Sequence, residues 1–306
     1  SGTMPMKSPM LAALLLLFPC AAMAQGGATI VPSIVSAEQV EQVRASARAA
    51  QAPGAPSSAR PIIAAPYTLN LEYRTGQAPA SLHGNEAEII MVLDGAGTIT
   101  TGGTLVDAVP GANGNVSGKG ITGGMPQHFV KGDMLMVPQG IAHMMVPDAG
   151  APFVLATLHL PRTGEPAPVA GRALAAPKLV HHAADLPAMI EKAKAASATS
   201  PRFFGGDTIL SLAPYRMGLE YRTAKGIASV HKSEGEFMVV LQGEGVIVSG
   251  GTVQNPKDMG ANIDGDAISG GTEHRMKTGD WIFVPKGLPH LARTDGTFVL
   301  ATLHVP

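Results

Sequence analysis

The chain repeats itself over most of its length, and this duplication constrains its fold more than any other feature. The five-residue segment that begins at Leu71 recurs letter for letter from Leu219, an offset of 148 positions. The tetrapeptide that ends at His159 returns at an offset of 145, ending at His304. A repeat unit of this size predicts two similar domains, not an array of short repeats. With 306 residues, the chain is long enough for each domain to bury a core of its own.

Each half carries the same two segments rich in metal-binding residue types. The first has the pattern His-x2-Glu-x-Glu, and the second has the pattern Gly-x5-Pro-x-Gly-x2-His. Two histidines and a carboxylate per half suit a divalent metal. We therefore predict two metal sites, with ligands His83, Glu88 and His143 in the first half and His231, Glu236 and His290 in the second.

The rest of each half predicts a short helix followed by strands. Ser36 and Gln39 form a capping box for a helix that runs to about Ala50, and Asp185 is placed to cap a second helix through about Ala196. In the strand segments 88–93 and 237–241, both alternating faces are apolar beyond the glutamate, which is typical of a filled barrel whose outside is also covered. Five strand segments are predicted in all. They span residues 88–93, 134–137, 153–158, 237–241 and 281–284. The predicted class is all-β, with two antiparallel barrels, each preceded by a short α-helix.

The predicted boundaries follow from this order of elements. Residues 1–24 are a tag remnant and signal peptide, 25–62 a helix and linker, 63–161 the first barrel, 162–206 a linker with a helix, and 207–306 the second barrel. Two glycine-rich stretches, 109–124 and 256–271, exceed the usual length of a connection. They are interpreted either as lids over the barrel mouths or as disordered insertions.

The start of the chain has the features of a secretory signal. Lys7 precedes an apolar run from Met10 to Phe18, and small residues before Gln25 provide a cleavage site. A periplasmic or secreted protein is therefore expected, with no membrane contact after cleavage. The only cysteine, Cys20, lies inside this segment, so the mature chain has no disulfide. A net charge of −1 and only 15% charged residues argue against a nucleic-acid partner.

The two motifs resemble those of the cupin superfamily, and their duplication resembles a bicupin. His83, Glu88 and Gly95 match the second histidine, the glutamate and the final glycine of the first cupin motif. The second motif is matched through His143, but its final asparagine is missing, and the second half matches in the same way. Serine, at Ser81 and Ser229, stands where the family has the first histidine. The resemblance therefore implies a His-Glu-His shell in each barrel instead of three histidines and a glutamate.

A shell of this kind resembles the two-histidine, one-carboxylate triad of non-haem Fe(II) oxygenases. The resemblance implies a divalent metal cofactor, with Fe(II) favoured over Mn, Zn, Ni or Cu, and a dioxygenase or other oxidoreductase acting on a small organic substrate. One alternative is a non-catalytic protein that binds a metal or small ligand. Another is a Mn-type decarboxylase, although that group uses the four-residue shell. A homodimer is also compatible with the family.

Four residues near the sites are candidates for catalytic roles. Glu86 and Glu234 share a strand face with the predicted metal ligands and are candidates for a general base or an alternative ligand, or for a rim carboxylate in water. Tyr73 and Tyr221 would orient substrate if their hydroxyls face inward, whereas packing is the alternative.

Further repeated polar residues have two interpretations each. Arg74 and Arg222 are suited either to a substrate carboxylate or to nearby acidic side chains. His159 and His304 end the last strand of each half, where they extend the metal shell or lie in solvent.

Overall fold

Two β-barrels and two helices make up the protein in a computed structural model that describes residues 31–50, 57–163 and 176–306. The predicted signal peptide lies outside the described residues. A short strand β1 (Ser33–Val35) leads into helix α1 (Ala37–Ala50). The strands of the first barrel are β2 (Ser57–Ala64), β3 (Tyr67–Arg74), β4 (Ala80–Leu82), β5 (Glu86–Thr101), β6 (Thr104–Val106), β7 (Val109–Pro110), β8 (Val116–Gly118), β9 (Gly120–Thr122), β10 (Met125–Val130), β11 (Met134–Val137), β12 (His143–Pro147) and β13 (Phe153–Pro161).

The second half has the same order of elements. Strand β14 (Val180–His181) and a 3-10 turn (Ala183–Asp185) precede helix α2 (Leu186–Ser197). The strands of the second barrel are β15 (Phe204–Leu212), β16 (Tyr215–Arg222), β17 (Ala228–His231), β18 (Gly235–Ser249), β19 (Thr252–Gln254), β20 (Lys257–Asp258), β21 (Asn262–Gly265), β22 (Ala267–Ser269), β23 (Thr272–Lys277), β24 (Trp281–Val284), β25 (His290–Arg293) and β26 (Phe298–Val305). No helix among the described residues has the length and apolarity needed to cross a bilayer.

The two barrels have matching antiparallel sheets. The first follows the order β2-β3-β13-β5-β12-β4-β8-β7, and the second the order β15-β16-β26-β18-β25-β17-β21-β20. Strand β5 is long enough to pair with β11 and β13 along its first half and with β10 and β12 along its second. The bend lies at Gly95, where φ is +74° and an added Cβ would stand 1.8 Å from the carbonyl oxygen of Pro152. Only glycine fits there, which explains the last glycine of the first motif.

The barrels exchange the strands that precede their helices. Strand β1 pairs with β24 of the second barrel, and β14 pairs with β11 of the first. The buried carboxylate of Asp280 accepts a hydrogen bond from the Ala37 N–H (2.7 Å), and Asp133 accepts one from the Ala183 N–H (2.8 Å). These aspartates tie the start of each helical segment to the opposite barrel.

The apolar core has three main parts. Each barrel has its own filling, which includes Phe129 and Phe153 in the first and Phe298 in the second. A larger cluster joins the outer faces of both sheets to both helices, and it includes Met91, Met134 and Met136. Strands with two apolar faces are therefore buried by the barrel filling on one side and by this shared cluster on the other, as predicted.

Several local predictions are confirmed and others are wrong. Ser36 and Gln39 form the capping box, with hydrogen bonds of 2.8 and 3.2 Å. Asp185, however, makes no capping hydrogen bond. The first barrel already begins at Ser57, inside the predicted linker, because this segment pairs with β3. The glycine-rich stretches are not disordered, since β8 and β21 extend the sheets beside β4 and β17.

Candidate metal centre

The three predicted ligands of the first barrel come from two neighbouring places in the sheet. Glu88 lies on β5, His83 lies in the turn between β4 and β5, and His143 begins β12 after a tight turn. Glu88 is buried, and its Oε2 atom lies 2.9 Å from His143 Nε2 and 3.6 Å from His83 Nε2. The rings of His83 and His143 are tilted, with centroids 5.2 Å apart. The three residues thus converge as the sequence predicts.

A fourth residue completes the cluster. His159 on β13 is paired in register with Glu88, and its Nε2 atom lies 3.7 Å from Glu88 Oε1. Its ring stands edge-on to that of His83, with centroids 4.7 Å apart. The first barrel therefore presents three histidines and one glutamate, with the additional histidine coming from the last strand and not from the first motif.

The second barrel repeats this arrangement closely. Glu236 Oε2 lies 3.0 Å from His290 Nε2 and 3.4 Å from His231 Nε2, and Glu236 Oε1 lies 3.6 Å from His304 Nε2. The rings of His231 and His304 have centroids 4.5 Å apart. Both halves of the duplicated chain therefore preserve the same four-residue cluster.

The separation of the donor atoms fits a bound metal ion. Two ligand atoms about 2.1 Å from one metal lie roughly 3.0–3.4 Å apart, depending on the coordination angle. The distances from the Glu88 oxygens to the histidine nitrogens, 2.9 to 3.7 Å, bracket that range. Glu88 Oε2 is also buried, and its near polar neighbours are the ring nitrogens of His143 and His83, an arrangement that suits an oxygen meant for a metal.

The Nδ1 atoms of the histidines point away from the cluster and contact oxygen atoms of neighbouring residues. His83 Nδ1 lies 3.2 Å from Asn115 Oδ1, and His231 Nδ1 lies 2.9 Å from Asn262 Oδ1. His143 Nδ1 lies 3.4 Å from the carbonyl oxygen of Ile141, two residues earlier in the chain. When Nδ1 donates to these oxygens, Nε2 of the neutral ring is left with its lone pair for a metal. The asparagines come from the glycine-rich stretches, which therefore build part of the site.

Electrostatics within the cluster favour a charged carboxylate. Burial opposes the charge of Glu88, but contacts with His143 and His83 outweigh this effect and hold the pKa of the carboxyl well below its usual range. The pKa of His83 is raised, because the attraction of Glu88 exceeds the opposing effect of burial. Glu236 and His231 behave in the same way. Without a metal, the histidine protons partly balance the buried negative charge.

The residues that were predicted to be catalytic occupy two different places. Glu86 lies at the rim, where Oε2 is 3.2 Å from His159 Nδ1, and Glu234 lies 3.6 Å from His304 Nδ1. Glu86 is also close enough to His83 and His159 to form an alternative metal-binding group, but Glu88 is far more buried. The general-base role of the two rim glutamates stays a prediction, and their observed contact is with the fourth histidine.

The tyrosines lie away from the site. Tyr73 packs with Ala47 and Val154 beneath helix α1, and Tyr221 packs against the core that the barrels share. Their neighbours in sequence, Arg74 and Arg222, line the metal cavities instead. This placement contradicts the predicted catalytic role of Tyr73 and Tyr221, because alternation along the strand directs the tyrosines to the outer face.

A small polar cavity opens beside each cluster, with a volume of about 130 Å³ in the first barrel and about 140 Å³ in the second. Ser81 and Ser229, which replace the first histidine of the motif, line these cavities. Arg74 also lines the first cavity and is bound to Glu72, with Nη2 and Oε2 2.5 Å apart. Arg222 pairs with Glu220 in the same way. The arginines therefore pair with local acids, one of the two interpretations drawn from the sequence.

The fold consists of two cupin-like barrels in a single chain, each with the repeated cluster. Solved structures similar to this one include salicylate 1,2-dioxygenase from Pseudaminobacter salicylatoxidans, with 13% identity, a TM-score of 0.61, and coverage of 98% of this chain and 95% of that chain. A mutant of that enzyme in complex with gentisate is similar at 11% identity and a TM-score of 0.60, covering 90% and 82%.

A cupin 2 conserved barrel domain protein from Leptotrichia buccalis is also similar, at 11% identity and a TM-score of 0.51, with coverage of 85% of this chain and 93% of that chain. No protein-family model matches the sequence, and no curated protein matches it significantly. At these identities the similarities establish the fold, and the chemistry must be argued from the site.

Proposed function

We propose that this protein is a metal-dependent oxidoreductase of the bicupin type, in which each barrel binds one divalent metal ion, and that it is a non-haem Fe(II) dioxygenase acting on a small organic molecule. The observation that carries the proposal is the convergence of three histidine Nε2 atoms on one buried glutamate in both barrels. The similarity of the whole two-barrel arrangement to a salicylate dioxygenase supports the reaction class.

The residues of the chain would divide the work in a simple way. His83, Glu88, His143 and His159 would hold the metal of the first barrel, and the corresponding four residues would hold that of the second. Once bound, the metal supplies a Lewis acid and a redox-active centre for oxygen chemistry. Four protein ligands leave two positions of a six-coordinate ion for exogenous ligands.

The cavity restricts what can reach this centre. Pockets for drug-sized ligands usually measure about 300–1,000 Å³, whereas the first cavity measures about 130 Å³. Arg74 contributes a cation to its wall, neutralised in part by Glu72. We therefore expect a substrate whose reacting end is small and polar, with a carboxylate or hydroxyl group directed to the metal.

A second candidate is a manganese-dependent decarboxylase. The sequence motif argued against it because one histidine of the four-residue shell is missing. His159 and His304 restore a shell of three histidines and a glutamate, so that objection no longer holds. The two candidates differ in whether oxygen is consumed.

The test uses the full chain, loaded separately with Fe(II) under anaerobic conditions and with Mn(II). Oxygen uptake and carbon dioxide release are measured together with salicylate, gentisate and short dicarboxylic acids. Oxygen uptake with incorporation of both oxygen atoms into product supports the dioxygenase. Carbon dioxide release without net oxygen uptake supports the decarboxylase, and neither signal in fully loaded protein favours a non-catalytic binding protein.

Matched variants show whether the signal comes from the clusters. Glu88→Gln and Glu236→Gln, combined in one chain, should abolish metal loading and turnover. His128→Ala is the control, because His128 is half-exposed and forms a surface ion pair with Asp148, away from both clusters. Equal activity of the double variant and the control would overturn the proposal.

A periplasmic or secreted location remains part of the proposal, supported by the charged and apolar pattern near the start of the chain. Mass spectrometry of protein matured in a Gram-negative host should give a first residue close to Gln25. A homodimer remains a prediction that light scattering of the mature protein can test.

A further inference from the structure

A second cavity of about 920 Å³ lies against the metal cavity of the second barrel. Its walls come from the turn that contains Phe203, the loop around Lys225, and strands β21, β22 and β25. Three residues line both this cleft and the metal cavity: Arg202, Ile227 and Leu291. The cleft is therefore separated from the metal site by a single layer of side chains.

Arg202 forms the polar part of that layer. Its Nη1 atom lies 2.5 Å from Asp264 Oδ2, while Asp264 Oδ1 accepts a hydrogen bond of 3.1 Å from Ser229. The Arg202 side chain is 41% exposed and is accessible to an anion in the cleft, whereas the Asp264 side chain is only 12% exposed. If an anion drew the guanidinium away, the buried Asp264 carboxylate would keep the hydrogen bond from Ser229, which partly compensates its charge. Arg202 therefore has the position of a gate between the two cavities.

The cleft combines apolar surface with unpaired positive charge. Lys225 and Lys257 are exposed and have no ion-pair partner among the described residues, and Lys225 Nζ stands 5.5 Å from the centroid of the Phe203 ring. Phe203 itself has a φ of +60°, a costly conformation for a bulky side chain. Of the acids in the wall, Asp264 and Glu273 are already bound to arginines, and Asp266 accepts a hydrogen bond from Asn255.

The first barrel shows that folding does not require these charges. The two cleft lysines and the two ion-paired acids each have a neutral counterpart in the first barrel, at the repeat offset of 147 or 148. The pairs are Lys225 with Gln77, Lys257 with Pro110, Asp264 with Ser117, and Glu273 with Pro126. Because the first barrel closes its sheet without them, the charged cleft is a property added to the second barrel alone.

We infer that this cleft binds an organic anion with an apolar body, that Lys225 and Lys257 hold its charge, and that Arg202 controls its passage to the second metal cavity. Binding of the organic anion rests on the cleft alone, whereas its passage to the metal rests on the function proposed above. The two barrels would then differ in substrate, since this cleft adjoins the metal cavity of the second barrel.

The test is a fluorescence titration of the full-length, metal-free protein with 8-anilinonaphthalene-1-sulfonate, an aromatic monoanion. N-phenyl-1-naphthylamine, its uncharged analogue, serves as the second probe. We expect one saturable site per chain for the anion. Lys225→Met and Lys257→Met should each weaken the anion by about tenfold, the loss expected for one charge-assisted contact, while the neutral probe changes little. Lys131→Met on the first barrel is the matched control.

Metal-free protein makes this result independent of the proposed enzyme. Absence of a saturable site, or lysine variants that bind the anion as well as the control does, would overturn the cleft even if the protein is an active dioxygenase. The gate is tested on zinc-loaded protein by the rate at which pyridine-2,6-dicarboxylate removes the metal. Arg202→Ala should speed removal from one of the two sites without changing the amount of zinc bound, and unchanged removal rates would refute the gate.

Discussion

Replacing Glu86 by glutamine tests whether the rim glutamates orient the fourth histidine of each cluster. Glu86 Oε2 lies 3.2 Å from His159 Nδ1, within hydrogen-bond distance, whereas the equivalent separation from Glu234 to His304 is 3.6 Å. Loss of such an outer partner typically lowers metal affinity by about 10–100-fold. Glutamine keeps an acceptor oxygen, so we place Glu86→Gln at the lower end, about tenfold or about 1.4 kcal/mol.

The two barrels should differ in how much the rim glutamate contributes to metal affinity. Because the contact in the second barrel is longer than a hydrogen bond, we expect Glu234→Gln to lower affinity by less than about threefold. The assay is competition for Zn(II) with a chromophoric chelator, fitted to a single site per chain. Each measurement is made in a chain whose other site is disabled by Glu88→Gln or Glu236→Gln.

A change of equal size in both barrels would contradict the reasoning from distance. No change in either barrel would show that the rim glutamates do not support the metal. A loss of turnover with unchanged metal affinity would instead favour the general-base role that the sequence suggested for Glu86 and Glu234.

Three further predictions concern residues outside the clusters. His181 is buried, and neither of its ring nitrogens is hydrogen-bonded among the described residues. Burial lowers the pKa of this histidine, so the folded state binds a proton at His181 less readily than the unfolded state does. Stability is therefore lost as the pH falls below about 6.5. Val35 occupies the equivalent place in the first half, so His181→Val is the matched substitution. It should reduce the loss of stability at low pH, as measured by urea unfolding between pH 7.5 and 5.5. An unchanged pH dependence would refute this. Asp280→Ala removes a buried carboxylate that accepts hydrogen bonds from two backbone N–H groups. The substitution should lower the free energy of unfolding by about 3 kcal/mol. A loss below about 1 kcal/mol would show that the strand exchange does little to stabilise the fold. Tyr73→Phe should leave metal content and turnover unchanged, and a selective loss of turnover would return the tyrosine to the site.

The duplicated motifs predicted a large part of this structure because ligand spacing and glycine positions are local. Both barrels, the class of fold and the first three residues of each cluster follow from short segments whose turns and alternation are readable. His83 and Glu88 sit on one strand and its entry, and His143 follows a turn defined by a proline and two glycines. The similar solved structures confirm the tandem-cupin fold.

The fourth histidine was not predictable from motif matching, because its position depends on the pairing of distant strands. His159 reaches Glu88 only because β13 lies beside β5 in that register. The available signal was its repetition as His304 at the end of an otherwise apolar strand. Asn115 and Asn262 carried the same signal, since they recur at the repeat offset within the glycine-rich stretches that were interpreted as lids or as disordered insertions.

Other failures came from reading local sequence without its neighbours on the strand. Tyr73 lies on the same strand face as the buried Leu69 and Leu71 and opposite to Arg74, so the period of two already favoured packing for this tyrosine. The exchange of β1 and β14 between the barrels has no local signature, because each is a two- or three-residue strand specified by its partner.

The most direct test of the central claim is anomalous diffraction from crystals of the zinc- or iron-loaded protein. The account predicts two peaks per chain, one in each barrel, each about 2.1 Å from three histidine Nε2 atoms and bound by one glutamate. In the first barrel those histidines are His83, His143 and His159, and in the second they are His231, His290 and His304. A metal bound without His159 and His304, or barrels without a peak in fully loaded crystals, would contradict it.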